Sequence, residues 1–312
     1  MTSKHPYKSR IALRVFLLSC LAWFSLVVAV YASASDCSPI EHRDRSIAKP
    51  IYSQGLLWRV ESQQGSVSHL FGTIHVSDPR VNVLSAGLQA ALVGSSQFIM
   101  EVVIDRESVS TMSSAMILPH DEMLKKVSRP HVYERALELL KHHGVNESMA
   151  MRLKPWAAYT ILSLPPRQVG VALDIRLMRL AQKHQLQVHG LESMEEQISL
   201  FDSMDMTDQH RLLRQVICNY ELVQSDLDRL IDLYRNRDLG AILQMAEKYR
   251  YPGSEKFLDT LLWRRNVNMA NRMQASLQAG SAFVAVGALH LPGDRGILQL
   301  LTNAGFSVRA ID

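Results

Sequence analysis

The sequence predicts an α/β fold in which a central mixed sheet is formed by the N- and C-terminal halves of the chain, with a large helical insert between them. Two observations carry this expectation. The regions near both ends read as strand, loop, helix and strand, whereas about 107–280 has the apolar spacing of helices. Both end regions also carry the same turn, HLFGTIHVSDPR at 69–80 and FVAVGALHLPGDR at 283–295. In each, an apolar run ends in Gly-x-x-His, an apolar residue follows the His, and an Arg lies eight positions after the Gly: Gly72, His75, Arg80 and Gly287, His290, Arg295.

Residues 1–34 are set apart from the fold. Lys4, Lys8, Arg10 and Arg14 precede the apolar run Val15 to Val30, and Ala32-Ser33-Ala34 offers a small-x-small cleavage site. This reads as a cleaved signal peptide. An uncleaved anchor is the alternative, since the run of about sixteen apolar residues falls only just short of the ~20 a spanning helix needs. The expected location is periplasmic or secreted, with inner-membrane attachment only if the segment stays uncleaved, and residues 35–312 are expected to form a single domain. Without the four basic residues of the leader, the 34 basic and 30 acidic residues of the chain become 30 and 30. The basic pI therefore belongs to the leader and supports no nucleic-acid partner. Two cysteines remain, Cys37 and Cys218, a possible disulfide in an oxidising compartment, with free buried thiols as the other reading.

Leu56 to Val60 and Val67 to Phe71 read as a hairpin, Asn82 to Val93 as a helix, and Gln97 to Ile104 as an apolar strand. The insert is punctuated at Pro119, Pro130, Gly144, Pro155, Pro165-Pro166 and Pro252-Gly253. Within it, Asp174 to Gln185 and one long packing helix from Asp208 to Arg235 stand out, and Leu186 to Leu191 is a short strand candidate. Ala282 to Val286, Ile297 to Ala304 and Phe306 to Ile311 give the closing strand, helix and strand. If both halves join one sheet, the two turns lie side by side at its carboxyl edge, where α/β sheets bind ligands.

A glycine at such a turn allows backbone conformations closed to other residues, and a His three places on suits a metal ligand or an acid/base group. A single such His is usually a solvated loop residue, but two with matching offsets are not easily dismissed. Glu101 places a carboxylate inside an apolar strand, which is costly unless it is paired or bound to metal. Glu192 ends another short strand, and Asp174 opens a helix, where Asp is commonly an N-cap. His69 and His189 are second-rank ligand candidates. His142-His143 and His184 read as solvent-facing helix ends, and His120 and His131 as loop residues beside prolines. The signatures His-Glu-x-x-His, Gly-x-Ser-x-Gly and Gly-x-x-x-x-Gly-Lys do not occur.

Several stretches together resemble the TraB/GumN family, a group that includes the Tiki metal-dependent proteases. They are Leu70-Phe-Gly-Thr-Ile-His75, Glu101, Lys154-Pro155-Trp156, Gly170-Val-Ala-Leu-Asp174, Gly190-Leu-Glu192, Arg265-Asn266 and Val286-Gly-Ala-Leu-His290. The resemblance covers nearly all of the chain after the leader. It implies a fold like that of the erythromycin-esterase and ChaN-like group. It makes His75 and His290 metal ligands, Glu101 a ligand or general base, and Glu192 and Arg265 further members of the catalytic set. Two departures stand out: Ser193 replaces a usual Thr, and Arg264 stands where Glu is usual, which puts the local charge balance in question.

The implied chemistry is hydrolysis of a peptide or protein substrate assisted by a divalent ion, with Zn, Mn and Co all compatible with nitrogen and oxygen donors. Arg80, Arg265 or Arg295 is expected to stabilise an oxyanion. The competing expectation is a non-catalytic protein that binds a polysaccharide, haem or peptide in the same cleft.

Overall fold

The structure is a computed structural model and describes residues 49–119, 124, 130–166, 170–248 and 258–312. The segment expected to be a leader, Cys37 and His120 lie outside the described residues. In chain order the first elements are β1 (Leu57–Glu61), β2 (Val67–Thr73), α1 (Ala86–Val93), β3 (Gln97–Met100), α2 (Arg106–Ala115), α3 (Pro130–His142), α4 (Glu147–Ala150), α5 (Pro155–Leu162) and α6 (Leu173–Lys183). They are followed by β4 (Gln187–Gly190), α7 (Met194–Asp202), α8 (Met206–Cys218), α9 (Tyr220–Arg235), α10 (Leu239–Lys248), α11 (Arg264–Ala279), β5 (Ala282–Gly287), α12 (Ile297–Asn303) and β6 (Ser307–Ala310). A π-helical turn, Asp259–Trp263, leads into α11, and a 3-10 turn, Ala288–His290, follows β5.

The described chain falls into two compact units. Among the described residues, one draws on 104–166 and 194–227, the other on 49–103, 170–193 and 228–312.

The second unit holds the sheet, in the order β4-β3-β5-β2-β1-β6. The first four strands of that order are parallel, while β1 runs antiparallel to both β2 and β6. Every residue of β5, AFVAVG, is buried, as a central parallel strand covered on both faces requires. The edge strands β4 and β6 are short and largely exposed. Phe283 of β5 stacks on Phe98 of β3 with centroids 6.1 Å apart, and Phe71 of β2 lies 6.4 Å away on the other side. α11 packs beside β5 with a buried stripe of Arg265, Asn266, Met269, Ala270, Met273 and Leu277, the spacing of one helix face. Two of the six are polar, and they are the first two.

The first unit is helical, and the family-like Lys154-Pro155-Trp156 has a structural role in it. Pro155 occupies the first turn of α5, Trp156 stacks on Phe201 at 5.5 Å, and Lys154 Nζ and Trp156 Nε1 both donate to Asp202 Oδ1, at 2.6 and 3.0 Å. Cys218 is disulfide-bonded.

Some local expectations change. The helix expected from Asn82 begins at Ala86, because Ser85 caps it by accepting from the Leu88 N–H. The single helix expected over Asp208–Arg235 is two, α8 and α9, separated at Asn219, whose Nδ2 donates back to the Gln215 carbonyl. Its apolar positions Leu212, Val216, Tyr220, Val223, Leu227, Leu230, Ile231 and Tyr234 are all buried, as the packing reading requires. His143 does not face solvent freely: its Nε2 pairs with the Tyr220 hydroxyl at 2.7 Å, and burial, with His142 nearby, lowers its pKa to about 4.

Candidate functional site

Four parallel strands end at one edge of the sheet, and each delivers a polar side chain just past its last residue. Reading across the sheet order, these are Glu192 after β4, Glu101 after β3, His290 after β5 and His75 after β2. Glu101 is thus not inside the strand but one residue beyond it. The ladder persists past the strand ends, since Glu192 N–H donates to the Glu101 carbonyl at 2.7 Å. Two carboxylates and two imidazoles are thereby brought to one place, and all four are at least nine-tenths buried.

The turn glycines are required for space rather than for an unusual backbone. Gly287 has φ −54° and ψ 136°, open to any residue. A Cβ on Gly72 would stand 2.9 Å from Leu291 Cδ1 and 3.1 Å from Ala288 Cα, so the first turn makes room for the second. A Cβ on Gly287 would stand 3.3 Å from Glu101 Oε1, 3.4 Å from His290 Cδ2 and 3.5 Å from His75 Nε2. The small space over Gly287 is the centre of the cluster.

His75 Nδ1–H donates to Asp174 Oδ2 at 2.6 Å, which leaves Nε2 facing that space. This Nε2 is a buried polar atom without a hydrogen-bond partner. Burial pushes the His75 pKa down, but the Asp174 carboxylate beside Nδ1, helped by Glu101, more than reverses this, and the net shift is upward. Asp174 is not the N-cap expected of it. Ala172 holds that position, and Asp174 sits in the first turn of α6 with its carboxylate on the imidazole. The first turn is also pinned by Tyr234 of α9, whose hydroxyl donates to the Gly72 carbonyl at 2.8 Å.

His290 is held differently. Asn266 Nδ2 donates to the Arg295 carbonyl at 2.9 Å, which orients the amide so that its Oδ1 accepts from His290 Nδ1–H. The Nε2 of His290 then accepts from Arg265 Nη1 at 3.2 Å. Burial, reinforced by the charges of Arg265 and His75 and opposed by Glu101, lowers the His290 pKa to about 3.

Arg265 links the halves of the cluster. Its Nε donates to Glu192 Oε1 at 2.6 Å and its Nη2 to Glu192 Oε2, while Nη2 also reaches Glu101 Oε2 at 2.9 Å. Its Nη1 donates as well to the Leu261 carbonyl at 3.3 Å, in the π-helical turn just before it. Glu101 Oε1 accepts the Gly287 N–H at 2.7 Å. Burial raises the Glu101 pKa, but the Arg265, His290 and His75 charges and the Gly287 N–H outweigh it and bring the pKa down to about 2.

The other sequence candidates lie elsewhere. Arg80 forms ion pairs with Asp78 and Asp228, both at 2.8 Å. Arg295 pairs with Asp259 and covers the Trp263 ring at 5.2 Å, so it serves the site through its backbone carbonyl only. Arg264, the departure from the family pattern, is exposed and pairs with Asp259. His69 stands opposite Arg59 in the β1–β2 ladder, and His189 is exposed on β4.

The donor chemistry suits a divalent ion. Two imidazoles whose Nδ1 atoms are fixed by side-chain oxygens direct their Nε2 atoms inward, as metal-binding histidines do, and Glu101 Oε1 lies 3.8 Å from His290 Nε2. As the side chains stand, no group of three or more His, Cys, Asp or Glu among the described residues is arranged to hold an ion. The Arg265 guanidinium, hydrogen-bonded to His290, Glu101 and Glu192, is the cation of this arrangement.

Metalloprotease TIKI2 of Danio rerio is 23% identical over 92% of this chain and 67% of its own length. Metalloprotease TIKI1 of the same organism is 23% identical over 81% of this chain and 62% of its own length. The chain thus spans roughly two thirds of these relatives. The uncharacterized protein YbaP of Shigella flexneri is 25% identical over 75% of this chain and 87% of its own length. No solved structure matches. The family model described as TraB/PrgY/gumN matches residues 56–310, from β1 to the end of β6, and the chain belongs to that family.

Proposed function

We propose that the chain is an exported, metal-dependent hydrolase that cleaves peptide bonds, with His75, His290 and Glu101 as the ligands of one divalent ion. The observation that carries this is the buried, unpartnered Nε2 of His75, facing the same small space over Gly287 as Glu101 and His290. Likeness to proteins named metalloproteases supports the reaction class. The leader-like residues 1–34 and the disulfide-bonded Cys218 support an oxidising, periplasmic or secreted location. No helix among the described residues is long and apolar enough to cross a membrane.

When bound, Zn, Mn or Co supplies Lewis-acid polarisation and acidifies its water ligand. The residues divide the remaining work by environment. Asp174 and Asn266 hold the two rings with Nε2 inward. Glu101, held below the usual carboxylate range by the Arg265, His290 and His75 charges, stays ionised and serves as a ligand. Glu192 takes the proton as water adds to the peptide carbonyl and returns it to the amine as the C–N bond breaks. Arg265, shared between Glu192 and the cluster, stabilises the oxyanion.

The test uses the full chain stripped with chelator, resupplied separately with Zn, Mn and Co, and incubated with a peptide library read by mass spectrometry. Cleavage restored by an ion and lost in His75→Ala is the expected result. A parent protein inert with every ion would overturn the hydrolase and leave the non-catalytic ligand-binding reading in its place.

A further inference from the structure

We propose that Arg265 is a built-in cation that occupies the metal's place on His290, so that a divalent ion enters by exchange with the guanidinium rather than by filling a vacant site. This rests on the metal reading above.

The conflict is confined to one lone pair. His290 Nδ1 carries a proton, because it donates to Asn266 Oδ1, and its Nε2 therefore has the ring's only free lone pair. Arg265 Nη1 donates to that lone pair at 3.2 Å. An ion on Nε2 requires this bond to be given up. Glu101 poses no such conflict, since each carboxylate oxygen has two lone pairs and only one is used by the Gly287 N–H or by Nη2.

The guanidinium can yield without leaving. Its Nε and Nη2 hold Glu192 in a two-point pair, and Nη1 keeps the Leu261 carbonyl, so exchange costs it one contact. Charge also favours exchange. Glu101, Glu192 and Asp174 against Arg265 leave two net negative charges when both imidazoles are neutral, which a divalent ion balances once the guanidinium has drawn back. A cation needed only to neutralise Glu192 would have no use for the contact with His290.

The experiment is calorimetric titration of the metal-free full chain with Zn and with Co, comparing the parent with an Arg265→Met/Glu192→Gln double variant. That variant removes the competitor without changing the net charge of the cluster. Exchange predicts affinity tighter by about tenfold or more, the worth of a charge-assisted hydrogen bond. Equal or weaker affinity in a variant that still unfolds cooperatively overturns the proposal. If the variant does not fold, a crystal structure of the metal-saturated parent decides: Nη1 must lie out of hydrogen-bond reach of His290 Nε2, and an intact bond overturns exchange. Binding that is abolished by His75→Ala and His290→Ala but insensitive to Arg265 sinks exchange alone, whereas no binding by the parent sinks the metal reading with it.

Discussion

The two Gly-x-x-His turns have one sequence pattern and opposite electrostatics. His75 gives its Nδ1–H to a carboxylate, has an unpartnered Nε2 and has a raised pKa. His290 gives its Nδ1–H to an amide, has the Arg265 guanidinium on Nε2 and has a pKa of about 3. Both rings are buried, so burial does not separate them. The difference comes from residues far along the chain, Asp174 for one turn and Asn266 with Arg265 for the other. A repeated motif positions the histidines, and the helices packed on the sheet decide their charge.

Removing Arg265 should have the largest effect. Arg265→Ala takes away the guanidinium that the buried carboxylates of Glu101 and Glu192 share, and about 3–5 kcal/mol of stability should be lost, as measured by urea unfolding. Gly287→Ala comes next. Its backbone angles suit alanine, but the added methyl meets Glu101, His290 and His75, at a cost of about 1–3 kcal/mol by the same measurement.

The contrast between the turns can also be reversed. Asp174→Asn should lower the His75 pKa and Asn266→Asp should raise that of His290, both followed by NMR titration of the ring nitrogens. Stability should respond with the matching sign. His290 is lowered from 6.5 to about 3 and Glu101 from 4.5 to about 2, so the folded state of the parent loses stability as pH falls from 6.5 toward 3, and Glu101 adds to the loss below 4.5. His75 is raised, so its contribution is complete below 6.5 and is lost as pH climbs through its folded pKa. Asn266→Asp should flatten the acid loss and Asp174→Asn the loss above 6.5. The smallest effect belongs to Arg80, the distal arginine of the first turn. Its ion pairs are exposed, and Arg80→Ala should change stability by less than about 1 kcal/mol.

The sheet was legible because central parallel strands are uninterrupted apolar runs and because polar residues at their ends stand out against them. That is how His75, Glu101, Glu192 and His290 stand out in the sequence as candidates, and the sheet brings the four together. Asp174 could not be assigned to His75, since the contact spans 99 positions and an Asp near a helix start usually caps it. Asn266 does carry a signal: together with Arg265 it begins a stripe that continues through Met269, Ala270, Met273 and Leu277, and a polar pair on a buried helix face needs partners. The space that Gly72 and Gly287 leave is not legible in the sequence, because close approach between distant segments leaves no mark there. The break at Asn219 was hidden by apolar spacing that runs through it.

The most direct test of the account is the number of divalent ions bound per chain by the metal-free protein, by His75→Ala and by His290→Ala, measured by equilibrium dialysis against Zn. If the two turns serve one site, the parent binds about one ion and each single variant loses it. A single variant that keeps a full equivalent, or a parent that holds two ions of which each variant loses one, would show that the turns do not meet on a common ion.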